Sequence, residues 1–202
     1  MALGYTPENG AGVGLYDTYL AARIRLSDAT LPETVAVVVT ERDLLTAGAY
    51  DTFASLLSWA FEYGAERVVV YVSVLDEEVV PTLRDQLEGV DSPRPLAVRG
   101  PEDTERVDAP VQVSIGLGGK HEFATAVQSI AEDVDAGDLS PEDISEADIE
   151  ERLVFPTTPD LVIKTGAERL SDFMIWQSVY SELYFTDVNW QNFRKRDYLR
   201  AL

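Results

Sequence analysis

Apolar positions along this chain fall into short unbroken runs and longer periodic stretches that alternate. Runs such as 35–39 (VAVVV), 68–72 (VVVYV) and 161–163 (LVI) carry no polar residue on either face, the pattern of strands buried on both sides of a parallel sheet. Between them, apolar residues recur at helical spacing. The pattern predicts helices over 13–26, 43–63, 76–89, 121–136, 141–152 and 172–184. It predicts strands over 35–39, 68–73, 96–98, 111–115 and 160–163. Strands alternating with helices give an α/β fold, here one domain over residues 1–202 with a mostly parallel central sheet flanked by helices. The stretch 91–110, with Pro93, Pro95, Pro101 and Pro110 among several acids, reads as a surface connection around one short strand. The acids between Glu132 and Glu151 read as solvated helical faces.

Composition narrows the function. With 202 residues and 46% hydrophobic content the chain can bury a sizeable core, so a net charge of −20 does not signal disorder. That charge repels nucleic-acid phosphates and excludes an electrostatic DNA or RNA role. It also resembles the surfaces of proteins from salt-rich cytoplasm, where screening makes self-repulsion tolerable. Cysteine is absent, which removes disulfides, thiolate nucleophiles and Cys-ligated zinc. His121 is the single histidine, and it sits in a glycine-rich turn where a helix start accounts for it better than general-base chemistry does. Only Lys120, Lys164 and Lys195 are lysines.

Candidate chemistry concentrates in 159–185, PDLVIKTGAERLSDFMIWQSVYSELYF. Lys164 falls at the carboxyl end of a predicted strand, where open α/β sheets bind ligands. Thr165 and Gly166 turn the chain, and Ser171 and Asp172 are suitable N-caps for the predicted helix that follows. A helix start beside Lys164 and Arg169 offers N–H groups, an ammonium and a forked guanidinium to phosphate oxygens. A diphosphate suits such a site. The plainer alternative is a strand, a turn and an amphipathic helix whose cations face water.

Lys164-Thr165-Gly166, Glu168, Arg169-Leu170-Ser171-Asp172-Phe173, Trp176-Gln177 and Tyr180-Ser181-Glu182-Leu183-Tyr184-Phe185 resemble, in order, a signature of the cis-prenyltransferases, the undecaprenyl diphosphate synthase family. Lys164 stands where that family has arginine, and the loop is one residue shorter. Gly118-Gly119-Lys120-His121-Glu122 is similar to the family's Gly-Gly-Arg-x-Glu, and 189–193 (NWQNF) to its Leu-Trp-Pro-Asp-Phe. The resemblance implies a transferase that condenses isopentenyl diphosphate with an allylic diphosphate to a polyprenyl diphosphate, with Mg2+ as cofactor. It also implies a homodimer or a heterodimer with an intact paralogue, with peripheral membrane contact; a cytoplasmic location is expected because no charged-then-apolar signal segment begins the chain. No apolar run nears the roughly 20 residues of a spanning helix. By resemblance, Lys164, Thr165, Gly166, Arg169 and Ser171, with Gly118, Gly119 and Lys120, bind substrate, and Glu182 is the carboxylate near the metal.

The first signature of that family is missing. Where its enzymes carry Asp-Gly-Asn-Gly-Arg-Trp after the first strand, this chain reads Thr40-Glu41-Arg42-Asp43-Leu44-Leu45. A threonine hydroxyl is a poor substitute for carboxylate on a hard cation. Glu41 and Asp43 are the candidate catalytic replacements. Equally, Thr40 with Asp43 three residues on spells a helix capping box. Two functions therefore stand: a divergent prenyltransferase, or a non-catalytic subunit that supports the isopentenyl diphosphate site of an intact partner.

Overall fold

In the computed structural model, residues 14–103, 107–155, 157–166 and 174–202 are described. Six strands, β1 (Thr34–Thr40), β2 (Arg67–Ser73), β3 (Leu96–Arg99), β4 (Val111–Ile115), β5 (Leu161–Thr165) and β6 (Glu182–Thr186), form one sheet in the order β3-β4-β2-β1-β5-β6. Every neighbouring pair is parallel. The helices are α1 (Leu15–Leu26), α2 (Glu41–Leu44), α3 (Ala49–Glu62), α4 (Val80–Glu88), α5 (Gly119–Ala136), α6 (Glu146–Glu150) and α7 (Lys195–Ala201).

Strand alternation divides the core in two. Val35, Val37, Val39, Val68, Val70, Val72, Val111, Val113, Ile115, Leu161 and Ile163 point into the larger cluster, which includes Phe53, Leu56 and Leu57 of α3, Leu83 and Leu87 of α4, and Tyr198 and Leu199 of α7. Their neighbours of opposite phase, Ala36, Val38, Val69, Tyr71 and Val162, face a smaller cluster completed by Phe155 and Met174. The same phase puts Arg99, Ser114 and Lys164, all buried, on that smaller face. One side of the sheet is a dry core, and the other mixes apolar and polar groups.

Three predicted helices are corrected. The one expected over 43–63 is two, because Gly48 adopts φ 76 and breaks it between α2 and α3; the hydroxyl of Thr46 donates to the carbonyl of Asp43 at 2.6 Å in the turn. The one over 141–152 is a 3-10 turn, Pro141–Asp143, followed by α6. The largest change is at 172–184, where the described part is a 3-10 turn, Gln177–Tyr180, followed by β6. Leu183, Tyr184, Phe185 and Thr186 suit a pleated, half-buried surface better than a helix, and β5 offers them an open edge. Trp190 anchors the opposite side: fully buried, its indole N–H donates to the carbonyl of Ala49 at 3.0 Å.

Candidate functional site

The carboxyl ends of the parallel strands share one rim of the sheet, and Lys164, Thr165 and Gly166 of the last signature lie at it. Lys164 pairs in register with Val38 of β1 and is 8% exposed. Burial depresses its pKa below the ordinary lysine range, and the negative charge of Asp43 opposes that shift. Its ammonium is therefore partly desolvated, the state in which an incoming anion gains most. Thr165 is buried beside it, its hydroxyl without a hydrogen-bond partner among the described residues. Gly166 turns the chain at φ 73 and donates its N–H to the carbonyl of Thr186 at 2.9 Å. Arg169, Ser171 and Asp172, and with them the expected helix start, lie outside the described residues.

The second glycine motif reaches the same rim from β4. Gly118 is the N-cap of α5 and Gly119 its first residue. A Cβ on Gly119 would lie 3.0 Å from the amide nitrogen of Ile175 and 3.1 Å from that of Met174, so a side chain there would push the two backbones apart. Met174 itself is fully buried at φ 45, a left-handed conformation that costs a non-glycine residue about 1–3 kcal/mol. The chain at Met174 and Ile175 thus seats on the glycine turn of α5. Lys120 follows at the exposed surface.

A buried polar bridge fixes this junction. The Glu122 carboxylate accepts from the N–H of Phe155 at 3.1 Å and from Nε2 of Gln177 at 3.3 Å, while Nε2 also donates to the Phe155 carbonyl at 2.8 Å. Burial pushes the Glu122 carboxyl above the usual glutamate range; its hydrogen bonds and the charge of Arg99 act against that. Arg99 is 2% exposed, and Nη2 donates to the Asp103 carbonyl at 2.9 Å. Sequence reasoning did not pick out Arg99, Glu122 or Gln177 as site-building residues, although Glu122 and Gln177 stand inside matched motifs. Their pairing, 55 residues apart, leaves no local pattern.

At the end of β1 the carboxylates are committed. Thr40 and Asp43 form a full capping box: the N–H and hydroxyl of Thr40 donate to Oδ2 of Asp43 at 2.9 and 2.7 Å, and the Asp43 N–H donates to the Thr40 hydroxyl at 3.3 Å. Glu41 is buried, with Oε2 accepting from the N–H groups of Leu75 and Asp76 at 2.8 and 3.2 Å. Glu182 is exposed and pairs with Leu161, the first residue of β5. It is therefore three residues, roughly 10 Å, from the level of Lys164, toward the amino end. Among the described residues no group of three or more His, Asp or Glu comes together as an ion site. Two of the three candidate acids hold backbone amides and the third is remote from them in the sheet, so these residues do not fit a magnesium ion within one chain. Among the described residues, too, no helix is long and apolar enough to cross a membrane.

The family model for undecaprenyl diphosphate synthase matches residues 96–202. An isoprenyl transferase of Thermus thermophilus is 33% identical over 213 aligned residues, which take in 100% of this chain and 78% of that protein. A tritrans,polycis-undecaprenyl-diphosphate synthase (geranylgeranyl-diphosphate specific) of Methanocaldococcus jannaschii is 49% identical over 98 residues, 46% of this chain. That match spans only 35% of the archaeal protein. Lavandulyl diphosphate synthase from Lavandula x intermedia, solved with dimethylallyl diphosphate, superimposes with a TM-score of 0.67 at 23% identity over 84% of this chain and 93% of that one. A six-stranded parallel sheet, together with these matches, makes the chain a member of the cis-prenyltransferase, or undecaprenyl diphosphate synthase, family.

Proposed function

We propose that this chain is the non-catalytic subunit of a heteromeric cis-prenyltransferase, which binds isopentenyl diphosphate or steadies its site while an intact family member supplies the allylic diphosphate site and Mg2+. The observation that carries this reading is the turn after β1: the Thr40 hydroxyl, Oε2 of Glu41 and Oδ2 of Asp43 are engaged with backbone groups or with one another. Freeing Glu41 or Asp43 for a metal would leave those groups unsatisfied, at roughly 1–3 kcal/mol for each that stays buried. The larger core also bears on it. Phe53, Leu56, Leu57, Leu83 and Leu87 have no accessible surface, so a growing hydrocarbon finds no opening on that face without displacing them.

In this role Lys164, Arg169 and Ser171 hold the diphosphate by charge and hydrogen bonds, and Gly118, Gly119 and Lys120 bound the same rim. Magnesium, when bound, neutralises the departing allylic diphosphate, and its acid belongs to the partner. The partner's seat is the β6 edge and the turn before it, where Val179, Tyr180, Leu183 and Phe185 are exposed, Tyr180 to 91%. An open strand edge with apolar side chains calls for a cover. Glu182 lies on that edge and reaches a metal only across such an interface. The expected cytoplasmic location is part of the same proposal.

The intact cationic site at β5 favours a second reading, in which the chain itself condenses isopentenyl with an allylic diphosphate. The test supplies farnesyl or geranylgeranyl diphosphate, isopentenyl diphosphate and Mg2+ to the chain alone, to a family member carrying the Asp-Gly-Asn-Gly-Arg-Trp turn, and to the mixture. We expect the mixture to exceed the sum of the two and Lys164→Ala to remove the excess. Elongated product from the chain alone, lost in Asp43→Asn, establishes the second reading instead.

A further inference from the structure

Helices α1 and α7 lie against each other, and a cavity of about 250 Å³ opens between them. Leu20 and Ile24 of α1, Leu199 of α7 and Leu202 just past it line the cavity, together with Arg23 and Arg200. Leu20 and Leu199 are buried, and Ile24 and Leu202 pack against the larger core. Both arginines are exposed. The apolar side chains therefore make the floor, and one guanidinium from each helix stands at the mouth.

Arg200 is oriented by its neighbours. Its guanidinium carbon stands 5.3 Å from the centre of the Tyr16 ring, and its Nη1 lies 3.7 Å from Oδ1 of Asp197. The hydroxyl of Ser27, also on the lining, is committed to the carbonyl of Ile24 at 2.8 Å, so the arginines supply the polar chemistry of the mouth. In a chain of net charge −20, segments 15–26 and 194–202 hold six of the 16 cationic residues and two of the 36 acids, Asp17 and Asp197. Arginines in last helical turns offset the helix dipole. That accounts for each charge on its own helix and not for two of them meeting over one apolar floor. The place is remote from Lys164, because Leu202 also borders Leu161 and Glu182 at the amino ends of β5 and β6.

We propose that this cavity binds a small amphiphilic anion, a phosphate monoester of a short branched hydrocarbon, which bridges Arg23 and Arg200 and clamps α1 to α7. The two halves of the site select the two halves of the ligand. An inorganic anion leaves the apolar floor wet, and an uncharged hydrocarbon gains nothing from the guanidinium groups. A phosphate monoester brings three terminal oxygens, enough to serve two forked guanidinium groups at once. Volume sets the length: the cavity admits roughly eight water-sized groups at about 30 Å³ each. A short branched chain fits within that space and a long one does not. The site is separate from the one at Lys164 and stands whichever reading of that one holds.

The test is calorimetric titration of 3-methylbutyl phosphate into the full chain carrying Lys164→Ala, at a salt concentration where circular dichroism shows it folded. We expect a Kd on the order of 0.1–1 mM, in keeping with a ligand of about ten non-hydrogen atoms. Arg23→Gln and Arg200→Gln, both at exposed positions, should each weaken binding about tenfold. Ala29→Trp, which fills the cavity from its exposed rim, should abolish binding with both arginines in place. Inorganic phosphate and 3-methylbutanol should each bind at least tenfold more weakly, and saturating ligand should slow hydrogen exchange of the amides over 15–26. Because Lys164→Ala removes isopentenyl diphosphate from the β5 rim, binding that survives it separates this site from the substrate site. No binding in Lys164→Ala, or binding indifferent to the two arginine variants and to Ala29→Trp, overturns the proposal. So does inorganic phosphate binding as well as the ester, or exchange over 15–26 that ignores the ligand. Tighter binding of dodecyl phosphate, whose chain exceeds the cavity, also overturns it by placing the hydrocarbon outside.

Discussion

The turns after β1 and β5 sit side by side on one rim of the sheet, and they have gone opposite ways. After β5, Lys164 is held partly desolvated with a buried hydroxyl next to it and a glycine turn above; burying an ammonium costs stability, and on the proposed reading it leaves a cation poised for an anion. After β1, Thr40, Glu41 and Asp43 satisfy one another and nearby amides; that arrangement gains stability and ties one oxygen of each carboxylate to the turn. A binding site and a well-satisfied helix start draw on the same polar groups, so a chain relieved of one task drifts toward the other.

Five variants sharpen that contrast. The largest effect belongs to the anchor beneath the closed turn: Trp190→Ala removes a fully buried indole and its bond to Ala49 at the start of α3. It should cost about 3–5 kcal/mol, measured by denaturant unfolding, and a cost under about 1 kcal/mol would show that the closed turn stands without it. Next, Lys164→Ala should weaken isopentenyl diphosphate binding by roughly 1.5–3 kcal/mol, the worth of hydrogen bonds to a charged group, in calorimetric titration. Below its depressed pKa the ammonium is charged, so wild-type affinity should hold at neutral pH and fall on alkaline titration earlier than an ordinary lysine would dictate.

At the closed turn, Thr40→Ala should cost about 1 kcal/mol, a normal capping loss, and leave diphosphate affinity unchanged. Asp43→Asn removes the charge that competes for Lys164 and should raise that affinity slightly; a loss would mark Asp43 as a ligand after all. The smallest effect is at Glu122. Its pKa is raised in the fold, so the native chain binds more protons than the unfolded chain between the ordinary and the raised value. Across that window its contribution destabilises progressively as pH rises. Glu122→Gln should therefore be at least as stable as wild type at pH 7, with the advantage vanishing in acid; an equal advantage at both pH values would remove the titration from the explanation.

The doubly buried strands were legible in the sequence because a parallel sheet needs side chains such as Val35–Val39 to be apolar on both faces. The capping box at Thr40 was legible too, since it is local, three residues wide, and made of groups that can satisfy each other without the rest of the chain. β6 was not: Tyr184, Phe185 and Thr186 lean toward a strand, but 182–186 follow directly on a stretch of helical spacing, and only the free edge of β5 decides. Nor could any spacing join Glu122 to Gln177 and Phe155, or seat Met174 on Gly119. The placement of Glu182 at the amino end, away from Lys164, was likewise settled by strand register alone. Local sequence determines what hydrogen bonds and periodicity can satisfy within a few residues; groups brought together across tens of residues are matched by packing, which no single segment encodes.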